Sequence, residues 1–333
     1  MTERGTPDYA TSPTRPRGIV LVGNPDSGHG RHTLHHVQEL IEREGLELHE
    51  TVSMADLGAL TRWVQPRDAS GAANGAGSGD GNGLGHDAPL IVAAGGDGTV
   101  GAVADYVANT RSTMGIVPLG TSNDVARSLD IPMKLPAAVR LLGRGQVATV
   151  DVGKFITDDG KTRHFVHAAA VGIDVAFAKM ATQTSLRKRL GRLTYLVAAV
   201  RALWEKEPFD CTLEIEGRSV TLRLIHLSVV NAPIFGGRFS LTLPGSSVAD
   251  RRLDILTIDD VPLPQIAFSA LPILFHRRPH IGGIRLYHVR EMHVHTARPL
   301  DVSLDGEVMG RIPGDFVMAS DALRVVAGPR FTP

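Results

Sequence analysis

A single cysteine, Cys211, is the only thiol in this chain of 333 residues. That excludes an intramolecular disulfide framework, argues against a cysteine-built zinc site and points to a reducing compartment, so a cytoplasmic protein is expected. Neither charge is in excess: 35 Lys and Arg stand against 35 Asp and Glu, with a pI near 7.3. A nucleic-acid binder would show a strongly basic domain, so no nucleic-acid partner is expected. Long apolar runs are missing too. The stretch 266–275 is broken by Ser269 and Pro272, and 195–204 contains Arg201; a bilayer-spanning helix needs about 20 apolar residues. Residues 1–17 hold Pro7, Pro13, Pro16, Arg4, Arg15 and Arg17 without an apolar stretch, and read as a disordered tail rather than a secretory signal. What remains is 43% hydrophobic and 21% charged, a globular composition with enough length for two cores. The 14 histidines would turn the protein positive at mildly acidic pH.

From residue 18 the pattern alternates strand and helix. The apolar run 18–22 stops at Asn24-Pro25, and Leu34, Val37, Leu40 and Ile41 follow at helical spacing until Gly45. A strand is expected over 46–52 and a helix over 57–64. Residues 66–88 are a Gly/Ala/Ser/Asn/Asp tract with too little apolar surface to offset its ordering entropy, and read as a flexible insertion. The near-continuous apolar run 90–94 suits a strand buried on both faces of a parallel sheet. A helix over 99–108, a strand over 114–119 and a helix over 122–129 follow. This alternation implies a doubly wound α/β domain. After residue 150 the texture becomes strand-like, at 151–155, 165–171, 211–216, 220–230 and 253–258, interrupted by one strong helix over 186–204. A largely antiparallel second domain is expected.

The segment Ala94-Gly95-Gly96-Asp97-Gly98-Thr99 sits where a buried strand ends and a helix begins. Glycines there let the backbone approach a ligand, and the helix-start N–H groups form an anion cradle, with Thr99 available as a cap. The plain alternative is a tight turn without a ligand. Two more loops follow strands: Asn24-Pro25-Asp26-Ser27-Gly28, and Pro118-Leu119-Gly120-Thr121-Ser122-Asn123-Asp124. Three loops beyond the carboxyl ends of strands are where open α/β sheets bind nucleotides. There is no G-x-x-x-x-G-K-[ST] run, so the chain is not a P-loop enzyme. The G-x-G pieces at 77–83 follow no strand and are not a dinucleotide fingerprint.

In this order the loops resemble the diacylglycerol kinase catalytic-domain family, which includes sphingosine and ceramide kinases. The family pattern N-P-x-S-G, G-G-D-G-T, G-T-x-N-D-x-A-R falls on 24–28, 95–99 and 120–127. Gly236-Gly237, Pro244 and Asp250 fit its second-domain stretch, and Asp305-Gly306-Glu307 its D-G-E motif. The resemblance implies a two-domain, ATP-dependent lipid kinase. A Rossmann-like, doubly wound domain (18–150 and 316–333, the chain end returning to it) would precede a β-sandwich-like lipid-substrate domain (151–315). ATP contacts would fall on Asn24, Pro25, Asp26, Ser27, Gly28, Thr51, Gly95, Gly96, Asp97, Gly98, Thr99, Val100, Gly101 and Thr121. A structural Mg2+ would be held by Ser247, Asp250 and the carbonyl of Arg252. Here Ser246 replaces the family's usual Ala and Arg251 its usual Gly, and an arginine beside the metal carboxylate could compete for it.

Phosphoryl transfer needs positioning, charge neutralisation and an acceptor for the alcohol's proton. The candidates are Asp97, Asp124, Asp305 and Glu307. The resemblance assigns the acceptor to Glu307, with Asp97 as the rival and Asp124 as an organiser of its loop or of a magnesium–phosphate contact. Asp-Gly is also a common hairpin turn, and Val302 and Leu304 before it read as a strand.

Net zero charge conceals basic stretches. Arg187, Lys188, Arg189 and Arg192 have no acid nearby, and 276–298 holds five arginines and five histidines against Glu291. These would favour peripheral contact with the inner face of a membrane carrying the lipid substrate; a solvated face is the alternative. An exposed β-edge in the second domain would allow a homodimer. Two other functions stay open, a soluble-substrate kinase of the NAD kinase type and a nucleotide-binding regulator without catalysis.

Overall fold

The structure, a computed structural model, describes residues 16, 18–24, 30–66, 88–172, 207–235, 241–243, 245–262, 264–265, 268 and 283–332. Most of the expected tail (1–17) and insertion (66–88), and all of the helix over 186–204 and the basic cluster at 187–192, lie outside the described residues. The chain divides into two compact units, one comprising Met1–Gly120, Leu129–Val150 and Ala322–Pro333, the other Thr121–Ser128 and Asp151–Asp321.

The first unit begins with β1 (Ile19–Gly23), α1 (Gly30–Arg43) and β2 (Leu48–Ser53), continues with β3 (Leu90–Gly95), α2 (Asp97–Val107) and β4 (Thr113–Pro118), and later adds α4 (Leu135–Leu142). Between β4 and α4 lies α3 (Asp124–Ser128), which groups with the second unit. The strands pair in parallel in the order β2-β1-β3-β4. Beyond β4 lies the end of the chain's last strand, with Arg324 opposite Thr113. β1 and β4 are buried at every position, because helices cover the sheet and leave no polar face to alternate with. Ile19, Leu21, Leu90 and Val92 pack there with Val37 and Ile41 of α1 and Val139 and Leu142 of α4.

Several boundaries differ from expectation. α2 starts at Asp97 rather than 99, with Gly96 as its N-cap and no side-chain cap, so Thr99 sits inside the first turn and does not cap it. The helix expected over 57–64 is a 3-10 segment, Met54–Arg62, kinked at Asp56 and capped by Ser53, whose Oγ accepts the Ala55 N–H. α3 is shorter than 122–129, because Asn123 adopts a left-handed φ of 52° just before it.

The second unit is antiparallel. Its strands are β5 (Gln146–Thr157, beginning in the first unit), β6 (Thr162–Phe165), β7 (Ala168–Gly172), β8 (Phe209–Ile215) and β9 (Arg218–Val230), then the short pair β10 (Ile234–Phe235) and β11 (Leu241–Thr242). β12 (Leu253–Asp259), β13 (Ile284–Val289), β14 (Glu291–Thr296), β15 (Leu300–Leu304), β16 (Glu307–Ile312) and β17 (Gly314–Ala327, ending in the first unit) complete it. Among the described residues the order β16-β15-β7-β9-β8-β14-β17 leaves β16 on an edge, with β12 and β13 continuing from β9. Its core gathers Phe155, Phe165 and Phe316, with the Phe155 and Phe316 rings stacked 4.8 Å apart. Cys211 is buried in the same core, which pushes its thiol up to about 12.

Candidate active site

In the first unit, β1 has β2 on one side and β3 on the other, so the chain reverses its winding direction between β1 and β3. Such a switch point leaves a crevice beyond the strand ends that no helix crossover fills. Asn24 follows β1 on one side of it, and the Gly95–Thr99 segment follows β3 on the other. The first-turn N–H groups of an α-helix, here those of Gly98 and Thr99 among them, find no acceptor within the helix, and the dipole adds partial positive charge. Gly95, the last residue of β3, carries the pairing one residue past the end of β4 by accepting the Leu119 N–H at 2.8 Å. That bond brings the third loop alongside: a Cβ on Gly96 would stand 3.2 Å from the Gly120 Cα. The two glycines thus let two backbones touch where a phosphate would be cradled. Val100 and Gly101 are buried in the next turn and support this one from behind.

Of the nucleotide contacts expected from the sequence, Asn24, Gly95, Gly96, Asp97, Gly98, Thr99, Val100 and Gly101 therefore cluster at the ends of β1 and β3, and Gly120, which was not among them, joins them from the end of β4. Pro25, Asp26, Ser27 and Gly28 lie outside the described residues. Thr51 is exposed on β2 opposite Leu21, two residues before the strand ends, and its hydroxyl accepts from Gln38 Nε2 at 2.8 Å. Thr121 and Asp124 belong to the second unit. There Asp124 is buried at the start of α3, and Arg127 folds its guanidinium back onto the Ser122 carbonyl at 3.1 Å.

The D-G-E motif forms the turn between β15 and β16. Asp305 and Gly306 both have positive φ, 49° and 92°, the geometry of a two-residue hairpin turn whose twist matches the strands. Asp305 is also an anchor. Its buried carboxylate accepts N–H bonds from Val166 (2.9 Å), His167 (2.8 Å) and Ala168 (3.0 Å), and its own N–H donates to the Ala168 carbonyl at 2.9 Å. Burial pushes this carboxyl up, against the pull of the three N–H groups and of His167. Glu307, the next residue but one, is exposed at the head of β16. The two acids of the motif thus divide the work: Asp305 fixes the turn and Glu307 is presented from it. As a sequence, the motif offers Asp305 only as a candidate base, because an anchor reaching back to residues 166–168 leaves no local signal.

The residues expected to hold a metal lie together on the turn before β12. Asp250 accepts the N–H of Arg252 at 3.0 Å and that of Ser247. Burial, with the like charges of Asp254 and Asp151, raises its carboxyl above the ordinary range. Carboxylate, hydroxyl and carbonyl are hard oxygen donors suited to Mg2+, and a half-buried acid facing two others is a place a cation would stabilise. Among the described residues, no group of three or more His, Cys, Asp or Glu side chains is arranged to hold a metal. Arg251 does not compete for Asp250. Its guanidinium pairs with Asp321 at 2.9 Å, and its backbone, at a φ of 61°, donates to Asp151. That left-handed φ explains why glycine is usual at this position.

Where it is described, four residues of the basic stretch at 276–298 have acidic partners. Arg285 pairs with Asp259, Arg298 with Glu207, His288 with Asp254 and His293 with Asp315. No helix among the described residues is long and apolar enough to cross a membrane.

Comparison with known proteins agrees with this architecture. Residues 18–155 match the diacylglycerol kinase catalytic domain, and residues 167–327 match the YegS C-terminal NAD kinase beta sandwich-like domain. The chain is 28% identical to a diacylglycerol kinase of Bacillus subtilis over 71% of its own length and 77% of that protein. It is 26% identical to a diacylglycerol kinase of Mycobacterium tuberculosis over 92% of its own length and 94% of that protein. A solved chain from Bacillus anthracis superposes with a TM-score of 0.71 at 20% identity, covering 96% of this chain and 100% of that one. At this identity the superposition speaks for the fold alone.

Proposed function

Because the chain belongs to the diacylglycerol kinase catalytic-domain family, we propose that it transfers the γ-phosphate of ATP to the hydroxyl of diacylglycerol or a related lipid alcohol. Family membership supports a kinase at the coarser level. The cradle at the β1/β3 switch point, where Gly96 meets Gly120 at the head of α2, is the observation that carries the nucleotide assignment.

The N–H groups at the start of α2 hold the phosphates, and Asp97, the first residue of that helix, is placed to orient whatever neutralises them. Glu307 takes the proton of the acceptor hydroxyl as the hydroxyl oxygen bonds to the γ-phosphorus and the bond from that phosphorus to the bridging oxygen of ADP breaks. Asp305 holds Glu307 in place through the turn. A Mg2+ ion held by Ser247, Asp250 and the Arg252 carbonyl would offset the like charges gathered around Asp250. The protein works at the inner surface of a membrane, where its lipid resides.

The test is incubation with labelled ATP, magnesium and separate acceptors: diacylglycerol, ceramide, sphingosine, phosphatidylglycerol and NAD. Label appearing in a lipid product supports the reading. Label in NAD alone would move the chain to the soluble-substrate kinases, and ATP binding without any labelled product would make it a regulator.

A further inference from the structure

Apolar side chains scattered singly over a surface are ordinary, whereas adjoining ones mark a contact site. Among the described residues three large apolar side chains are exposed, Phe268 (65%), Val308 (46%) and Met309 (40%), and the last two adjoin and directly follow Glu307. Fraying does not account for them. The hairpin is pinned at its turn by the three N–H bonds to Asp305. Farther along, Gly310 lies flat on the Phe155 ring, where a Cβ would stand 2.7 Å from Cε1. Between these fixed points the β15–β16 register slips: Val302 pairs with Gly310 but Ser303 with Val308, so Met309 is an extra residue on β16. A bulge of this kind bends a strand and re-aims its side chains. Here it leaves Glu307, Val308 and Met309 exposed in succession, on a strand that pairs on its outer side with no other strand among the described residues.

We infer that Val308 and Met309 form the lipid-contact edge of the acceptor site, seating the first carbons of the acyl chains while Glu307 takes the hydroxyl. This rests on the kinase reading above and names the side chains that meet the lipid. The scale fits. At about 3.3 Å per strand residue, the two apolar positions lie within several ångströms of Glu307, the span between a lipid's free hydroxyl and the start of its hydrocarbon. A second copy of the chain is the less suitable occupant, since the bulge interrupts the regular ladder that strand addition needs.

Cys211 makes the test clean. Its thiol is buried and pushed up to about 12, so a cysteine introduced at the surface is the one that reacts. The full chain carrying Met309→Cys is labelled with an environment-sensitive fluorophore and mixed with vesicles of phosphatidylcholine and phosphatidylglycerol, with and without dioleoylglycerol. Ser219→Cys, on the exposed start of β9, serves as the control. The expected result is a blue shift and intensity gain at position 309, larger with dioleoylglycerol, and none at 219. No shift at 309, an equal shift at both sites, or a shift that follows protein concentration without vesicles would each overturn the proposal. In a second arm, the Val308→Ser/Met309→Ser variant should show an apparent KM for vesicle-borne diacylglycerol raised about tenfold, with kcat at saturation within about twofold of the parent. An unchanged KM would also overturn it. The fluorescence arm needs no turnover, so it reads the contact edge even if the parent phosphorylates no lipid, the result that would sink the kinase reading instead.

Discussion

Asp305→Asn tests how the turn at the proposed acceptor site is held. In the parent, Oδ1 accepts from His167 and Ala168 and Oδ2 from Val166, at 2.8, 3.0 and 2.9 Å. Asparagine tolerates the left-handed φ of 49° at this position, so the turn itself carries no new strain. Its carbonyl oxygen keeps two of the three bonds, and its NH2 faces the Val166 N–H, leaving one buried donor without an acceptor. That costs about 1–3 kcal/mol. Asp305→Ala strands all three donors and also puts a Cβ-bearing residue without a local hydrogen bond into left-handed backbone, so its cost should reach about 4 kcal/mol or more. Urea unfolding followed by circular dichroism measures both, with the slope checked for constancy so that midpoints can be compared. In the kinase assay, Asp305→Asn should lower kcat roughly tenfold, about 1.4 kcal/mol of barrier, with the KM for ATP unchanged, because only the tip bearing Glu307 is loosened. If Asp305→Asn unfolds at the parent's midpoint, the three bonds do not hold the hairpin and the division of labour within the motif is wrong.

Gly96→Ala should act on nucleotide binding. The φ of −93° suits any residue, so the effect is steric alone: the new Cβ, 3.2 Å from the Gly120 Cα, pushes two backbones apart. The KM for ATP should rise about tenfold for a stability cost of about 1–3 kcal/mol, and an unchanged KM would remove this contact from the cradle. Near the chain end, Arg330 donates to both Asp130 carboxylate oxygens, the shorter bond being 2.7 Å, and this holds the Asp130 carboxyl below its ordinary range. Since the folded pKa lies below the unfolded value of about 3.9, the stabilisation is complete above that pH and is lost as pH falls through the folded value. With Arg330 exposed, Arg330→Ala should cost no more than about 1 kcal/mol at neutral pH. The difference from the parent should shrink as unfolding is measured progressively below pH 4; a pH-independent difference would contradict the pairing.

The legible parts of the fold were those whose signal is local. β1, β3 and β4 are buried on both faces, so their apolar runs announce themselves, and glycines mark the loops that follow. α2 begins two residues before the position its sequence suggests: Gly98 reads as loop, yet a helix whose first N–H groups face a crevice can begin among glycines. α4 was missed although its signals were present: Pro136 in the first turn, Ala138, Val139 and Leu142 on one buried face, and Gly143 at the end. The illegible parts depend on distant residues. Nothing near Arg251 points to Asp321, and nothing near Asp305 points to residues 166–168. β14 to β17 draw their order from pairings across the sheet, where alternation gives a strand but not its neighbour.

Whether Glu307 accepts the proton of a lipid hydroxyl is read from the rate at which Glu307→Gln transfers labelled phosphate from ATP to diacylglycerol, with ATP affinity measured separately by calorimetry. The side chain is exposed, so the substitution should leave folding unchanged. The value of kcat should fall about 10²–10⁴-fold, with ATP affinity within about twofold of the parent. Near-normal transfer by Glu307→Gln, with an inactive Asp97→Asn, would contradict that role and move the base to the head of α2.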